Sequence, residues 1–170
     1  MGQALIETIA NTDGAVLSGG TEAAGSTTIG NTIGDTDFTV GEDTRGLFLN
    51  SDVVIDFTRP APTVAHAALA AETTTAVLIG TPGMSADEQS AMDAAAKNTA
   101  IMQEGNMSLG VNVLAILAKR AAEILDDDFD IEIVEMHHRH KVDAPSGTAL
   151  LLGRATADGR GVSLEDKQVL

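Results

Sequence analysis

Three of the four histidines lie within one fifteen-residue stretch, residues 135–149, together with an arginine, a lysine and a Ser-Gly-Thr turn. Histidine titrates near neutral pH, and a nearby lysine can donate a proton or stabilise negative charge. A Ser-Gly-Thr turn at a helix start offers hydroxyls and backbone N–H groups to a carboxylate. Because these groups complement one another, the stretch predicts acid–base chemistry on an anionic substrate.

Two other interpretations of this stretch stay open. The first is a solvated basic edge without a ligand. The second is a metal site, since His138 and His140 share one side of an extended segment. Arg139 and Lys141 would repel a cation there, so we predict no bound metal.

The composition excludes several functional classes. The 170 residues include 25 acidic and 10 basic side chains, a formal net charge of −15, which argues against a nucleic-acid or anionic membrane surface. The absence of cysteine excludes disulfides and cysteine nucleophiles. No apolar run approaches the ~20 residues that span a bilayer, and no secretory pattern is present. A cytoplasmic protein is therefore expected.

Apolar patterning predicts an alternation of strands and helices. The capping-box pair Ser85 and Glu88 marks the start of one helix, and residues 21–50 are predicted to be a loop with at most one short strand. Strands are predicted over residues 14–20, 53–57, 76–80, 99–102 and 130–135, and helices over residues 2–10, 62–71, 110–125 and 146–157.

This alternation predicts an α/β fold in which a parallel sheet carries helices on both faces. Ligands of such sheets bind at the carboxyl ends of the strands. Three segments fall there, residues 56–59, 80–83 and 104–107. Each is also compatible with ordinary turn chemistry, and glycine at position 80 could let the backbone approach a nucleotide. His66, in an alanine-rich helix, is interpreted as a partly exposed histidine without a role.

The fifteen-residue stretch closely resembles the signature of the dihydrodipicolinate reductase (4-hydroxy-tetrahydrodipicolinate reductase) family. Residues 54–60, 79–83 and 106–112 support the resemblance, in the family's order, and it covers essentially the whole chain. It implies a Rossmann-type domain over residues 1–107 that binds NADH or NADPH. Residues 108–170 would begin a mixed α/β domain that binds a cyclic dicarboxylate and forms a homotetramer.

The resemblance also implies an activity and a set of site residues. Hydride would pass from the nicotinamide to the substrate ring in lysine and diaminopimelate biosynthesis, with His137 as proton donor or acceptor and Lys141 as second proton donor. Substrate contacts are implied for His138, Gly147 and Thr148. Cofactor contacts are implied for Glu22 at the adenosine ribose and for Gly80, Thr81, Pro82, Glu104, Gly105, Asn106 and Met107.

The chain departs from the family pattern in several places. The glycine-rich loop that precedes the first helix and the later strands of the substrate domain fall outside the sequence, so we expect a chain truncated at both ends and impaired in activity. A non-catalytic fragment that only binds or associates is the alternative, and a metal-dependent lyase or hydrolase is a third. Ala23 stands where many members have an arginine, which favours NADH, and Pro82 replaces a second threonine.

Overall fold

The computed structural model describes residues 1–139, 141 and 144–169. It divides the chain into two compact units, Met1–Gln103 and Glu104–Leu170. All residues of the first unit are described, whereas His140, Val142, Asp143 and Leu170 of the second lie outside the description.

The first unit contains a three-stranded parallel sheet whose strands are arranged in chain order. Val54 pairs with Val77, and Val77 pairs with Ile101, so the three strands are aligned side by side. The predicted parallel α/β fold is thereby confirmed. Its elements are α1 (Gly2–Ala10), α2 (Thr44–Leu49), β1 (Val53–Asp56), α3 (Pro60–Thr73), β2 (Ala76–Ile79), α4 (Ala86–Ala95) and β3 (Ile101–Gln103).

The core of this unit lies between one face of the sheet and helices α2, α3 and α4. Small side chains at Ala67 and Ala70, both fully buried, let α3 lie close to the strands. On the opposite face Val53, Ile55 and Met102 are exposed. The buried core residues are Phe48, Ala67, Ala70, Val77, Ile79, Met92 and Ala95.

The ends of the helices follow local chemistry. The predicted capping box is confirmed, because Ser85 Oγ accepts from Glu88 N–H and a Glu88 carboxylate oxygen accepts from Ser85 N–H at 2.8 Å. Helix α3 starts two residues earlier than predicted, at Pro60, whose fixed φ suits a first helical turn. It ends at Thr74, which has a left-handed φ of 56°.

The predictions for residues 14–50 were partly wrong. No strand forms over residues 14–20, because this segment has no ladder partner in the fully described first unit. Thr21, the next residue, forms an isolated bridge to Gly41. Helix α2 was missed. Asp43 caps it by accepting from Gly46 N–H at 2.8 Å, and its six residues are too few to show helical periodicity.

The second unit consists of helices in its described part: α5 (Leu109–Ile124), α6 (Gly147–Gly159) and α7 (Leu164–Lys167). Helix α5 packs closely on α6, since a Cβ at Gly159 would lie 2.4 Å from the Lys119 carbonyl oxygen. The predicted strand over residues 130–135 was wrong. The described residues of this unit offer no second strand with which it could form a ladder.

Among the residues that the structure describes, no helix is long and apolar enough to cross a membrane.

Candidate functional site

The histidine-rich stretch is organised around the Glu135 carboxylate. Ser146 donates to it twice, from its backbone N–H at 2.8 Å and from its hydroxyl. Nδ1 of His137 lies 3.7 Å from the same carboxylate. Ser146 is buried, whereas His137 is more than one-third exposed, so the anchor is internal and the imidazole remains accessible.

Glu135 remains charged because of these neighbours. Hydrogen bonds from the hydroxyl and the backbone N–H of Ser146 lower its pKa and outweigh burial, which raises it. The positive charges of His137 and Lys141 add smaller lowering effects. The charged carboxylate lies 3.7 Å from Nδ1 and orients the imidazole electrostatically. An accessible imidazole held in this way can transfer a proton to a ligand.

Ser146 also fixes the start of α6. As the N-cap residue it accepts from Ala149 N–H through its hydroxyl at 3.0 Å. Gly147 and Thr148 then form the first helical turn, where backbone N–H groups and the helix dipole favour anions. The two residues predicted to hold a substrate carboxylate thus lie next to the carboxylate that faces His137.

Asn106 connects this turn to the loop predicted to contact the cofactor. Its side-chain NH₂ donates to Thr148 Oγ1 at 2.9 Å, and its side-chain oxygen accepts from Ser108 N–H at 2.9 Å. Asn112 donates to the Asn106 carbonyl at 2.9 Å. The structure therefore brings together a predicted cofactor residue and a predicted substrate residue, and adds Asn112, which the sequence analysis missed.

The neighbouring loop residues hold a tight turn. The Glu104 carboxylate accepts from the N–H groups of Gly105 and Asn106, at 2.9 and 3.4 Å. Met107 is exposed. Glu104 is thus engaged with its own loop, while Gly105 and Met107 remain accessible to a ligand.

The turn after His137 is described in part. Lys141 N–H donates to the His138 carbonyl at 3.1 Å, so these two predicted residues share one turn. His140, one of the two histidines considered for a metal, lies outside the described residues. Within the described part of the chain, no group of three histidine or carboxylate side chains could hold a metal ion.

In the first unit, Glu22 lies at a cavity of about 480 Å³. Gly19 and Gly20 also line this cavity. Glu22 N–H donates to the Gly41 carbonyl at 3.1 Å. A carboxylate at such a rim is the acceptor that a ribose diol requires. The residues present therefore fit the ribose end of a dinucleotide.

The turn after β2 contains Gly80, Thr81 and Pro82. In the fully described first unit, these residues do not line that cavity. A Cβ at Gly80 would lie 2.1 Å from the ring of Phe57, so glycine is needed there for close packing. Thr81 is buried and accepts from the Thr63 hydroxyl at 2.9 Å. A ligand at this turn would therefore meet backbone and Pro82, not the Thr81 hydroxyl.

The prediction that His66 is a partly exposed helical histidine is confirmed, and the structure adds a contact that the sequence did not indicate. Its Nδ1 lies 2.8 Å from a carboxylate oxygen of Asp56, which is 3% exposed at the end of β1. A buried carboxylate requires a partner. His66 lies on the same side of α3 as buried Thr63, Ala67 and Ala70, and this pattern could have identified it.

Asp56 has a lowered pKa. Burial by itself would raise it, but hydrogen bonds from His66 and Thr58 and the charge of His66 together outweigh that effect. The stability that ionised Asp56 contributes is therefore present above the usual pKa, about 3.9, and is lost as the pH falls through the lower native value.

We expect Asp56→Asn to lower the urea midpoint at pH 7 and to flatten the loss of stability below about pH 4. Urea unfolding at a series of pH values measures both effects, with exposed Asp52→Asn as the matched control. An acid slope equal to that of the unmodified chain would contradict this account of Asp56.

The first unit has a parallel α/β sheet with a glycine turn after β2, the arrangement of a Rossmann-type fold. In the second unit, the N-terminus of α6 adjoins the carboxylate–histidine pair. Comparison with known families gives two consecutive matches, described as "Dihydrodipicolinate reductase, N-terminus" over residues 1–107 and "Dihydrodipicolinate reductase, C-terminus" over residues 110–169. The chain belongs to the dihydrodipicolinate reductase family.

Curated relatives agree with this assignment. Proteins named 4-hydroxy-tetrahydrodipicolinate reductase from Afipia carboxidovorans and Parvibaculum lavamentivorans are 49% and 50% identical over 99% and 98% of this chain. The chain spans about 64% of the length of each. A solved structure, dipicolinate-bound dihydrodipicolinate reductase from Paenisporosarcina sp. TG-14, matches with a TM-score of 0.76 and 24% sequence identity. The match covers all of this chain and 66% of the solved chain, and it supports the fold.

Proposed function

We propose that the protein to which this chain belongs reduces 4-hydroxy-tetrahydrodipicolinate to tetrahydrodipicolinate with NADH or NADPH, in lysine and diaminopimelate biosynthesis. Residues 1–107 would form the dinucleotide-binding domain, and residues 108–170 part of the substrate domain. The observation that carries the proposal is the Glu135 carboxylate, which contacts Ser146 at the start of α6 and faces His137.

The chemistry of the substrate fits these groups. Its two carboxylates require cations or N–H donors, and the first turn of α6 supplies backbone N–H groups at Gly147 and Thr148. His138 would contact the substrate in the same region. Asn106 holds the Thr148 side chain in place through its 2.9 Å hydrogen bond, so the carboxylate site is fixed before the substrate arrives.

Proton transfer is assigned to His137, with Lys141 as the second donor. The substrate loses its 4-hydroxyl group as water, which leaves an unsaturated ring. Bound NADH or NADPH would supply hydride to that ring, where negative charge then develops. A protonated imidazole close to that ring relieves the charge by donating from one ring nitrogen. General acid catalysis of this kind contributes roughly 10²–10⁴-fold to the rate.

The cofactor contacts that the family resemblance implies are proposed for three segments of the chain. Glu22 would accept from the adenosine ribose. Gly80, Thr81 and Pro82 would border the nicotinamide, Thr81 through its backbone, and Glu104 to Met107 would form a second loop on the cofactor. We further propose that the whole protein is a cytoplasmic homotetramer.

The residue after Glu22 bears on the choice of cofactor. Ala23 offers no positive charge to the 2′-phosphate of NADPH, so we expect a preference for NADH. Ala23→Arg should raise kcat/KM for NADPH relative to NADH about tenfold or more, because one charge-assisted hydrogen bond is worth roughly 1.5–3 kcal/mol. Ala24→Arg, one residue further on, is the control.

Turnover is best measured in a chimeric enzyme, in which residues 1–170 replace the matching segment of the Parvibaculum lavamentivorans relative. Steady-state rates with each dinucleotide then give the ratio before and after Ala23→Arg. A strong NADPH preference of the unmodified chimera, or an equal gain from Ala24→Arg, would contradict the prediction.

Cofactor binding by the chain itself tests the proposal independently of turnover. NADH and NADPH are titrated against the 170-residue chain with nicotinamide fluorescence as the signal. Saturable binding of either dinucleotide is expected. Failure of both to bind the chain and the chimera would refute the proposed function.

A further inference from the structure

A chain of side-chain hydrogen bonds joins the ends of β1 and β2 in the first unit. It starts at the buried Asp56 carboxylate, which receives Thr58 N–H at 2.7 Å and His66 Nδ1 at 2.8 Å. Thr58 Oγ1 lies 3.2 Å from Thr63 Oγ1, and the Thr63 hydroxyl donates to Thr81 Oγ1 at 2.9 Å. Five polar side chains from two strand ends and one helix are thereby connected.

The direction of each hydrogen bond follows from the groups involved. Asp56 is ionised and only accepts, so Nδ1 of His66 carries its proton. The single hydroxyl proton of Thr63 goes to Thr81, so the contact between Thr58 and Thr63 requires Thr58 to donate. Thr58 therefore donates on both sides, to Asp56 through its backbone N–H and to Thr63 through its hydroxyl. From Thr58 onward the hydroxyl bonds run in one direction, to the turn after β2.

The surroundings restrict alternative arrangements of this network. Thr63 has no exposed surface, and Thr81 is 3% exposed. The His66 ring is packed near Phe48, with ring centroids 6.0 Å apart. Loss of one hydroxyl would leave buried partners unsatisfied, because water has little access to them.

We propose that Asp56, His66 and Thr63 are positioning residues for the turn at residues 80–83, which they hold through the Thr81 hydroxyl. The inference rests on the proposed function, in which this turn borders the nicotinamide. Because the Thr81 side chain is held in the interior, the backbone of the turn is fixed in one conformation and faces outward. The cofactor then binds without first having to order that backbone, a cost that would otherwise weaken its affinity.

Thr63→Val and Thr63→Ser separate positioning from general stability. Valine keeps the branched shape but removes the hydroxyl, whereas serine keeps the hydroxyl but removes a methyl group. Both should lower the urea midpoint of the 170-residue chain. Only valine should weaken NADH binding, by roughly tenfold, and only valine should loosen the turn.

Amide hydrogen exchange measures how readily the turn opens in the absence of a ligand. The Gly80 amide donates to the Asp56 carbonyl at 2.9 Å, and the Val77 amide donates to the Ala100 carbonyl at 2.9 Å within the sheet. Thr63→Val should speed exchange at Gly80 about tenfold relative to Val77, and Thr63→Ser less than twofold. The matched control is Thr73→Val, at the far end of α3, where the hydroxyl donates to the Leu69 carbonyl.

His66 provides the second test. Asparagine places an amide NH₂ near the position of Nδ1, so His66→Asn should preserve slow Gly80 exchange, whereas His66→Leu should speed it as Thr63→Val does. Equal effects of valine and serine at position 63, or no effect of His66→Leu, would overturn the inference. The expected exchange pattern, together with failure of both dinucleotides to bind the chain and the chimera, would support the network and refute the proposed function.

Discussion

His137→Ala is expected to lower kcat of the chimeric enzyme by roughly 10²–10⁴-fold, because it removes the group that donates a proton as charge develops on the substrate ring. The affinity for NADH should change less than twofold. This separation follows from the role assigned to the imidazole, which acts on the substrate and not on the dinucleotide. Steady-state kinetics and fluorescence titration of the same preparation measure the two quantities.

The neighbouring Met136 provides the control for this experiment. Its side chain is 93% exposed in the same segment, so Met136→Ala should leave kcat within about twofold. Equal losses of turnover and NADH affinity in His137→Ala would contradict the assignment of His137 as the proton donor.

Glu135→Ala is expected to lower kcat/KM by roughly 10- to 100-fold, the effect of losing charge-assisted hydrogen bonds. Two consequences combine. His137 loses the carboxylate 3.7 Å away that orients its imidazole, and both donors of Ser146 lose their acceptor. The first consequence lowers kcat, and the second loosens the turn that would hold a substrate carboxylate and raises KM.

Glu135→Gln separates these consequences. Glutamine retains an oxygen that can accept from Ser146 N–H but has no charge to face His137. It should therefore keep KM close to that of the unmodified enzyme while lowering kcat. Exposed Glu132→Gln serves as the control for removing one negative charge from this segment. A Glu135→Gln enzyme with unchanged kcat would show that the carboxylate does not act on His137.

The sequence predicted those parts of the fold that depend on local patterning. Continuous β-branched runs at residues 53–57 and 76–80 identified two strands, although β1 keeps Val53 and Ile55 exposed. The Ser85 capping box identified the start of α4. Residues 130–135, in which isoleucines alternate with acidic side chains, also fit a strand pattern but form no strand. A strand requires a partner on at least one side, and apolar content does not reveal whether that partner exists.

The candidate site could be predicted in its residue types but not in its connections. Histidines, a lysine and a Ser-Gly-Thr turn within fifteen residues indicated acid–base chemistry on an anion. That Glu135 contacts Ser146 eleven positions later depends on how the intervening chain turns. The same holds for Asn106 and Thr148, which are 42 positions apart and hydrogen-bonded.

The Asp56–His66 pair shows a different limit. An acidic residue at the end of an apolar strand is compatible with exposure or with burial beside a partner, and only burial makes the partner necessary. Once Asp56 is known to be 3% exposed, the histidine on the inner side of the next helix becomes its expected partner. Burial is a property of the assembled unit, so the sequence pattern left the role of His66 undetermined.

Oxidation of NADH or NADPH by the chimeric enzyme, dependent on 4-hydroxy-tetrahydrodipicolinate, tests the central proposal most directly. The expected result is loss of nicotinamide absorbance only when both substrates are present, with formation of tetrahydrodipicolinate in equal amount, and near-complete loss of the rate in His137→Ala. A folded chimera that binds the dinucleotide but gives no substrate-dependent oxidation, or an undiminished rate in His137→Ala, would contradict it.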